Sequence, residues 1–142
     1  MSGPELELIH RQEFAASHRL HDPSLSDQEN RALYGPCNNP NGHGHNYQFE
    51  VAVRGQVPRS GMIIDLNVLS RIMREEIHAH CDHKHLNLDV PWLEGEITTA
   101  ENLAIAFWKR LQPALRSYPD CRLHRIRVYE SLDSFVNYYG PE

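Results

Sequence analysis

His43-Gly44-His45-Asn46-Tyr47-Gln48-Phe49-Glu50-Val51-Ala52-Val53 alternates large apolar side chains with polar or small ones, a clean period of two through Tyr47, Phe49, Val51 and Val53. This is the pattern of a strand with one buried face, and its parity carries His43 and His45 onto that face. Upstream, Leu6 to Ser17 is extended with partial alternation. Downstream, Leu123 to Glu130 alternates through Ile126 and Val128, and Ser134 to Tyr139 follows a turn at Asp133 as its hairpin partner. Between these strand pairs lie two helical patterns. The first starts at Asp65, an N-cap type residue, carries Leu66, Leu69, Met73 and Ile77, and ends near His80. The second starts at Thr98 or Thr99, where Thr98-x-x-Glu101 has capping-box form, and runs through Leu103, Phe107 and Leu111 to about Leu115, with Pro113 shortening or bending its last turn. The order predicts an α+β domain over residues 1–142, a four-stranded antiparallel sheet with two helices on one face. Leu20 to Asn41, rich in Asp, Ser, Asn and Pro, reads as a long loop of the kind that usually carries function.

The 142 residues are enough for one domain with a complete core, and 40% are hydrophobic against 23% charged. With 14 Lys and Arg against 19 Asp and Glu, the net charge is -5 and the cations are scattered, which argues against nucleic acid or an anionic membrane as partner. No stretch approaches the roughly 20 apolar residues of a membrane span. Met1 to Arg11 shows neither a basic n-region nor an apolar h-region, so a cytoplasmic location is expected. Cysteines at 37, 81 and 121 form no Cys-x-x-Cys, which fits neither a disulfide framework nor a zinc ribbon.

Ten histidines stand out: His10, His18 and His21, then His43 and His45, then His78, His80, His83 and His85, with His124 alone. A single imidazole is ordinarily a surface or hydrogen-bonded group. Two on one core face are unfavourable unless their nitrogens are used, and a metal ion can bridge residues two apart on one face. His18, sharing its face with Phe14 and Ala16, is the third candidate ligand. Three neutral imidazoles would leave zinc dicationic, suited to polarising a substrate oxygen. A rival set, His80, Cys81, His83 and His85, falls within six residues but has no spacing that fixes a geometry.

Cys37 lies in a turn-rich loop six residues before His43, where a thiol beside a dication reads as a reactive thiolate; Cys121 and Cys81 read as small buried hydrophobes. Asp82-His83 pairs a carboxylate with an imidazole, the minimum for orienting a proton-transfer base. Glu130 shares parity with Ile126 and Val128, which puts its carboxylate on the buried face unless, as a strand-end residue, it turns to solvent; held in a pocket, it can accept two parallel hydrogen bonds from an amidine-like pair such as that of a pterin or guanine. Glu101, Thr98 and Thr99 have a ready explanation as helix caps.

Five ordered motifs, Phe14-Ala-Ala-Ser-His18-Arg19-Leu20, Cys37-Asn-Asn-Pro-Asn-Gly-His43-Gly-His45-Asn-Tyr47, Gly61-Met-Ile-Ile-Asp65-Leu66, Asp82-His83-Lys84-x-Leu86-Asn87 and Thr99-Ala-Glu101-Asn102, resemble the 6-pyruvoyl-tetrahydropterin synthase family along nearly the whole chain. The resemblance implies the tunnelling fold, a homohexamer of two stacked trimers with active sites between subunits, and 7,8-dihydroneopterin triphosphate as substrate. It implies zinc on His18, His43 and His45, Cys37 as base helped by Asp82 and His83, and Glu130 as pterin anchor, with Thr98, Thr99 and Glu101 near the ring. Triphosphate is eliminated and the ring is reduced at the side chain's expense, so no nicotinamide is needed, and no dinucleotide fingerprint is present.

Within the family, a 6-carboxy-tetrahydropterin synthase of queuosine synthesis uses the same substrate and metal site, but its cysteine usually stands closer to the His-Gly-His pair. Here five residues, Asn38 to Gly42, intervene, as in the pyruvoyl-forming members. A third branch has glutamate in place of the cysteine, and Cys37 speaks against it. Ala100 is inserted relative to the commonest Thr-Thr-Glu-Asn form. A non-catalytic zinc-stabilised binding protein would need neither the thiol, the Asp-His pair nor the buried acid.

Overall fold

The computed structural model describes residues 3–142, so Met1 and Ser2 of the Met1 to Arg11 start lie outside the described residues. Two long strands, β1 (Glu5–His18) and β2 (His43–Gln56), pair antiparallel along their full length, from Glu5 opposite Gln56 to His18 opposite His43. β2 starts at His43, so both histidines belong to the strand. A later pair of residues forms β3 (Lys84–His85), and the chain ends with β4 (Arg122–Tyr129) and β5 (Phe135–Tyr138). The sheet order is β3-β1-β2-β4-β5.

The sheet is therefore five-stranded and mixed, not four-stranded and antiparallel: β3 runs parallel to β1, pairing Ala16 with Lys84 and Ser17 with His85. Two residues carry no periodicity, and β3 exists because the chain leaving the helix docks on the edge of β1. There His83 N donates to Ala15 O at 2.6 Å and Leu86 N to Ser17 O at 2.8 Å.

The expected long loop holds a helix of its own, α1 (Asp27–Tyr34), followed by a 3-10 turn over Gly35–Asn38. A reciprocal capping box starts α1: Glu29 N donates to Ser26 Oγ at 3.1 Å and Ser26 N to Glu29 Oε1 at 3.0 Å. Asn30, fully buried, anchors it by donating to Asp22 O at 2.9 Å and accepting from Asp22 N at 2.8 Å.

The first expected helix begins at its Asp65 cap as α2 (Leu66–Met73), widens into a π turn over Arg74–His78, and ends as α3 (Ala79–Cys81). Leu69, Met73, Ile77 and Cys81, spaced by four, are all fully buried. In an ideal α-helix each such step drifts by about 40°, and the wider turn offsets that drift so the stripe keeps facing the sheet. The second expected helix is α4 (Ala100–Leu115), which accommodates Pro113 in its last turn. Its cap is Thr99, accepting from Asn102 N at 3.3 Å, and the Thr98–Glu101 box does not form. No described helix is long and apolar enough to cross a membrane.

α4 closes the core. Phe107 packs edge-on against Phe49, with ring centres 5.5 Å apart, and against Phe14 at 6.2 Å, while Phe14 stacks on Tyr47 at 5.2 Å. On the opposite face of the sheet Glu50, 5% exposed, accepts from Arg11 Nε at 3.0 Å, Arg125 Nη2 at 3.3 Å and Tyr129 Oη at 3.0 Å. Burial alone would push its carboxyl upward, but these donors, Arg11 first, hold it below the ordinary carboxylate range. Phe107→Ala, which empties the centre of the aromatic cluster, is expected to cost about 3–5 kcal/mol in urea unfolding without changing the fold.

Candidate active site

The pairing of β1 with β2 assembles three imidazoles at one end of the sheet. His18 lies directly opposite His43, and His45 lies two residues further along on the same face, opposite Ala16. One ring nitrogen from each lies within 4.8 Å of the others, the one such cluster among the described residues. Gly42 makes the approach possible. It has φ +78°, and a Cβ there would stand 3.1 Å from both His18 O and His85 Nε2.

His18 is fully buried, and its Nδ1 lies 2.9 Å from Thr98 O. A carbonyl can only accept, so Nδ1 carries the proton and Nε2 is a bare lone pair, 3.2 Å from His43 Nε2. His45 Nε2 is buried without any hydrogen-bond partner, as is His43 Nδ1, the ring nitrogen that does not face His18. Such unmet nitrogens are costly in a protein interior, and one divalent cation would satisfy the cluster. The set of three neutral imidazoles, one already oriented by a backbone carbonyl, fits zinc. Burial, reinforced by the neighbouring His43 and His45, lowers His18 to about 4 against the opposing Thr98 hydrogen bond. His45 is lowered too, first by burial, with Glu130 acting in the other direction. Tyr47 floors the cluster, fully buried and edge-on to His45 at 5.3 Å; its hydroxyl has no partner, and burial pushes its ionisation far upward.

Glu130 follows the last residue of β4 and is part-exposed, not buried as its parity implied. Its Oε1 reaches to 3.6 Å from His45 Nε2 and 3.7 Å from His18 Nε2. Cys37 sits half-buried in the 3-10 turn, a free thiol. That turn is tied to the residues after His18: Leu20 N donates to Cys37 O at 2.9 Å, and Asn38 Nδ2 donates to Leu20 O at 2.7 Å. Thr98 stands fully buried behind His18, Thr99 caps α4, and Glu101 is exposed on its first turn.

Asp82 and His83 make no hydrogen bond to these groups among the described residues, although His83 and His45 line one cavity. Asp82 Oδ1 accepts from Ala15 N at 3.0 Å and Oδ2 lies 2.9 Å from His83 Nδ1; the Ala15 bond, then the His83 bond, hold the carboxyl below its ordinary value. His83 has φ +60°, the one non-glycine residue in the left-handed region among those described, and its side chain is 82% exposed. No hydrogen bond joins the pair to Cys37 of the same chain among the described residues. The rival metal set is dispersed: His80 is 3.2 Å from Arg110 Nη2, Cys81 is fully buried with its thiol pushed up to about 12, and His85 Nδ1 accepts from Asn87 N.

Three contributors had no role in the sequence reading. They are the Thr98 carbonyl, the Tyr47 hydroxyl, and Asn87, whose Oδ1 accepts from Arg19 N at 2.8 Å and from Thr98 Oγ1 at 3.4 Å. Asn87 and Tyr47 lie inside the quoted motifs, but which atoms they meet depends on long-range packing.

Fold and cluster together define an α+β protein built around a three-histidine site suited to one divalent ion. The human (Homo sapiens) 6-pyruvoyl tetrahydrobiopterin synthase is 43% identical over 137 residues, 96% of this chain and 92% of that protein. Its counterpart from Poecilia reticulata is 45% identical over 130 residues, 91% and 86% of the two chains. The solved structure of Caenorhabditis elegans 6-pyruvoyl tetrahydropterin synthase matches with a TM-score of 0.92 at 34% identity, covering 99% of both chains. The chain belongs to the 6-pyruvoyl tetrahydropterin synthase family, whose model matches residues 7–141, and it is an enzyme of that family.

The depressed His18 predicts a pH dependence for the metal-free protein. Above pH 6.5 the ring is neutral both folded and unfolded. As pH falls from 6.5 toward about 4 the unfolded chain takes up the proton first, so stability is lost across that window. The expected loss is on the order of 3 kcal/mol, read by urea unfolding at a series of pH values, and His18→Gln should flatten it.

Proposed function

We propose that this enzyme converts 7,8-dihydroneopterin triphosphate to 6-pyruvoyl-tetrahydropterin with elimination of triphosphate, a carbon–oxygen lyase reaction using zinc held by His18, His43 and His45. The observation that carries the zinc assignment is the convergence of one ring nitrogen from each of three imidazoles within 4.8 Å, with His45 Nε2 buried and without a hydrogen-bond partner. Relatives more than 40% identical that bear the pyruvoyl name, and the five residues between Cys37 and His43, support the pyruvoyl product. Bound there, zinc would supply Lewis acidity toward the hydroxyl oxygens of the substrate side chain.

The chain's own residues supply the remaining work. Thr98 fixes the His18 tautomer through its carbonyl and acts through that ring, since it is fully buried. Glu130, part-exposed beside the cluster, offers a carboxylate to the paired N–H groups of the pterin, and the family resemblance implies a position near the ring for Thr99 and Glu101 at the start of α4, next to the Thr98 that braces His18. Cys37 Sγ removes a proton from the side-chain carbon next to a hydroxyl. The two carbinol carbons become carbonyls and give up four electrons: two, with two protons, reduce the C=N bond of the ring, and two pass to the terminal carbon, which loses triphosphate with the electrons of its carbon–oxygen bond and takes up a proton to become a methyl group, so no external reductant is consumed.

Asp82 orients His83 for proton transfer, and the exposure of His83 suits service at a neighbouring subunit's Cys37. A homohexamer of two stacked trimers with sites between subunits would bring them together. A reducing, cytoplasmic setting suits the three unpaired thiols.

Anaerobic turnover of dihydroneopterin triphosphate by the zinc-loaded protein, with products identified by mass, is expected to give pyruvoyl-tetrahydropterin. Carboxy-tetrahydropterin with released acetaldehyde would move the enzyme to queuosine synthesis. Cys37→Ala is expected to keep zinc and pterin binding and to lose at least about 100-fold in kcat; unchanged turnover would remove Cys37 as base. His43→Ala is expected to purify without zinc, and full metal occupancy in that variant would refute the ligand set.

A further inference from the structure

We propose that the cavity between α1 and the Gly35–Pro40 turn binds the triphosphate group of the substrate through Arg19 and Arg31, an inference that rests on the pterin-triphosphate reading above. The cavity has a volume of about 510 Å³ and is lined by Arg19, Asp27, Arg31, Asn38 and that turn.

Position is the first argument. Arg19 directly follows His18, and its Nε donates to the carbonyl of Asn38, the residue after Cys37, at 3.0 Å. One guanidinium therefore joins the strand that ends in the histidine cluster to the turn that carries the thiol. The cavity thus borders the turn that carries the thiol and the residue that follows His18, the two places between which the substrate's side chain is proposed to lie.

Charge is the second argument. Arg11, Arg54, Arg71, Arg110, Arg122, Arg125 and Arg127 each have a carboxylate partner; Arg19, Arg31, Arg59, Arg74 and Arg116 have none among the described residues, and of these five Arg19 and Arg31 line this cavity together. Arg31 follows Asp27 by four residues on α1, a spacing at which ion pairs form, and Asp27 lines the same cavity, yet the two do not pair. The terminal nitrogens of Arg19 likewise have no protein acceptor among the described residues. Two unpaired arginines around one cavity, in a chain of net charge -5, make a local cationic site suited to a polyphosphate, because the planar guanidinium fork matches phosphate oxygens in pairs. The plain structural alternative is that Arg19 only braces the Asn38 turn and Arg31 is a solvated charge.

Calorimetric titration of the full-length protein with inorganic tripolyphosphate, with bound metal measured before and after to exclude chelation, separates the two. Wild type and Arg59→Gln, a charge loss on an exposed loop away from the cavity, are expected to bind alike. Arg31→Gln, which removes no hydrogen bond, is expected to weaken tripolyphosphate about tenfold, and Arg19→Gln by at least as much. Asp27→Asn should tighten it. Phosphate-free 7,8-dihydroneopterin should bind Arg31→Gln and wild type equally, and Arg31→Gln should raise KM for the triphosphate substrate more than it lowers kcat.

Tripolyphosphate binding that is absent in wild type, or indifferent to both arginines in a protein that still turns over the triphosphate substrate, would overturn this inference and leave the enzymatic reading standing. Arginine-dependent tripolyphosphate binding without dihydroneopterin binding or turnover would uphold the anion site and sink the pterin reading.

Discussion

The functional end of this molecule depends on the register between β1 and β2. Because His18 pairs with His43 and Ala16 with His45, three imidazoles converge at one end of one face. A slip of one residue would turn the histidines of one strand to the other face and leave no cluster. The register is held from both sides of the sheet. Phe14, Tyr47 and Phe49 interlock with Phe107 on the helix-covered face, and Glu50 is gripped by Arg11, Arg125 and Tyr129 on the other.

With no ion the cluster is costly to the protein, and the zinc proposed for it would meet one ligand already oriented. Full burial keeps His18 neutral, and the Thr98 carbonyl fixes which nitrogen is free. That carbonyl is itself fixed, because Thr98 precedes the Thr99 cap of α4, and α4 is pinned by the aromatic core. Core packing and ligand orientation are thus one mechanical unit. The thiol-bearing turn hangs on the same frame through Leu20 and Asn38, while Asp82 and His83 hang on the outer edge of β1 through Ala15.

Much of this was legible locally. A period of two put His43 and His45 on the core face, and two imidazoles on such a face call for an ion. The Asp65 cap and the four-residue apolar stripe located the first helix. What was missed had weak or misleading local signals. Helix α1 hid in a stretch rich in turn formers, although Ser26-x-x-Glu29 had capping-box form. The similar form at Thr98-x-x-Glu101 was not a cap, because the Thr98 hydroxyl and carbonyl are turned to Asn87 and His18. β3 is two residues long and owes its existence to a neighbour.

By itself, then, the sequence determined four of the five strands and the two longer helical segments, the shared face of the histidines and the set of groups available for chemistry, since these follow from side-chain periodicity and capping within a few residues. Only the tertiary structure decided which groups meet. It turned Thr98 into a brace for His18, drew Glu130 to the cluster, dispersed the histidines around Cys81, and left Arg19 and Arg31 without carboxylate partners around one cavity. Those outcomes depend on strand register and on contacts between residues tens of positions apart, which no local pattern encodes.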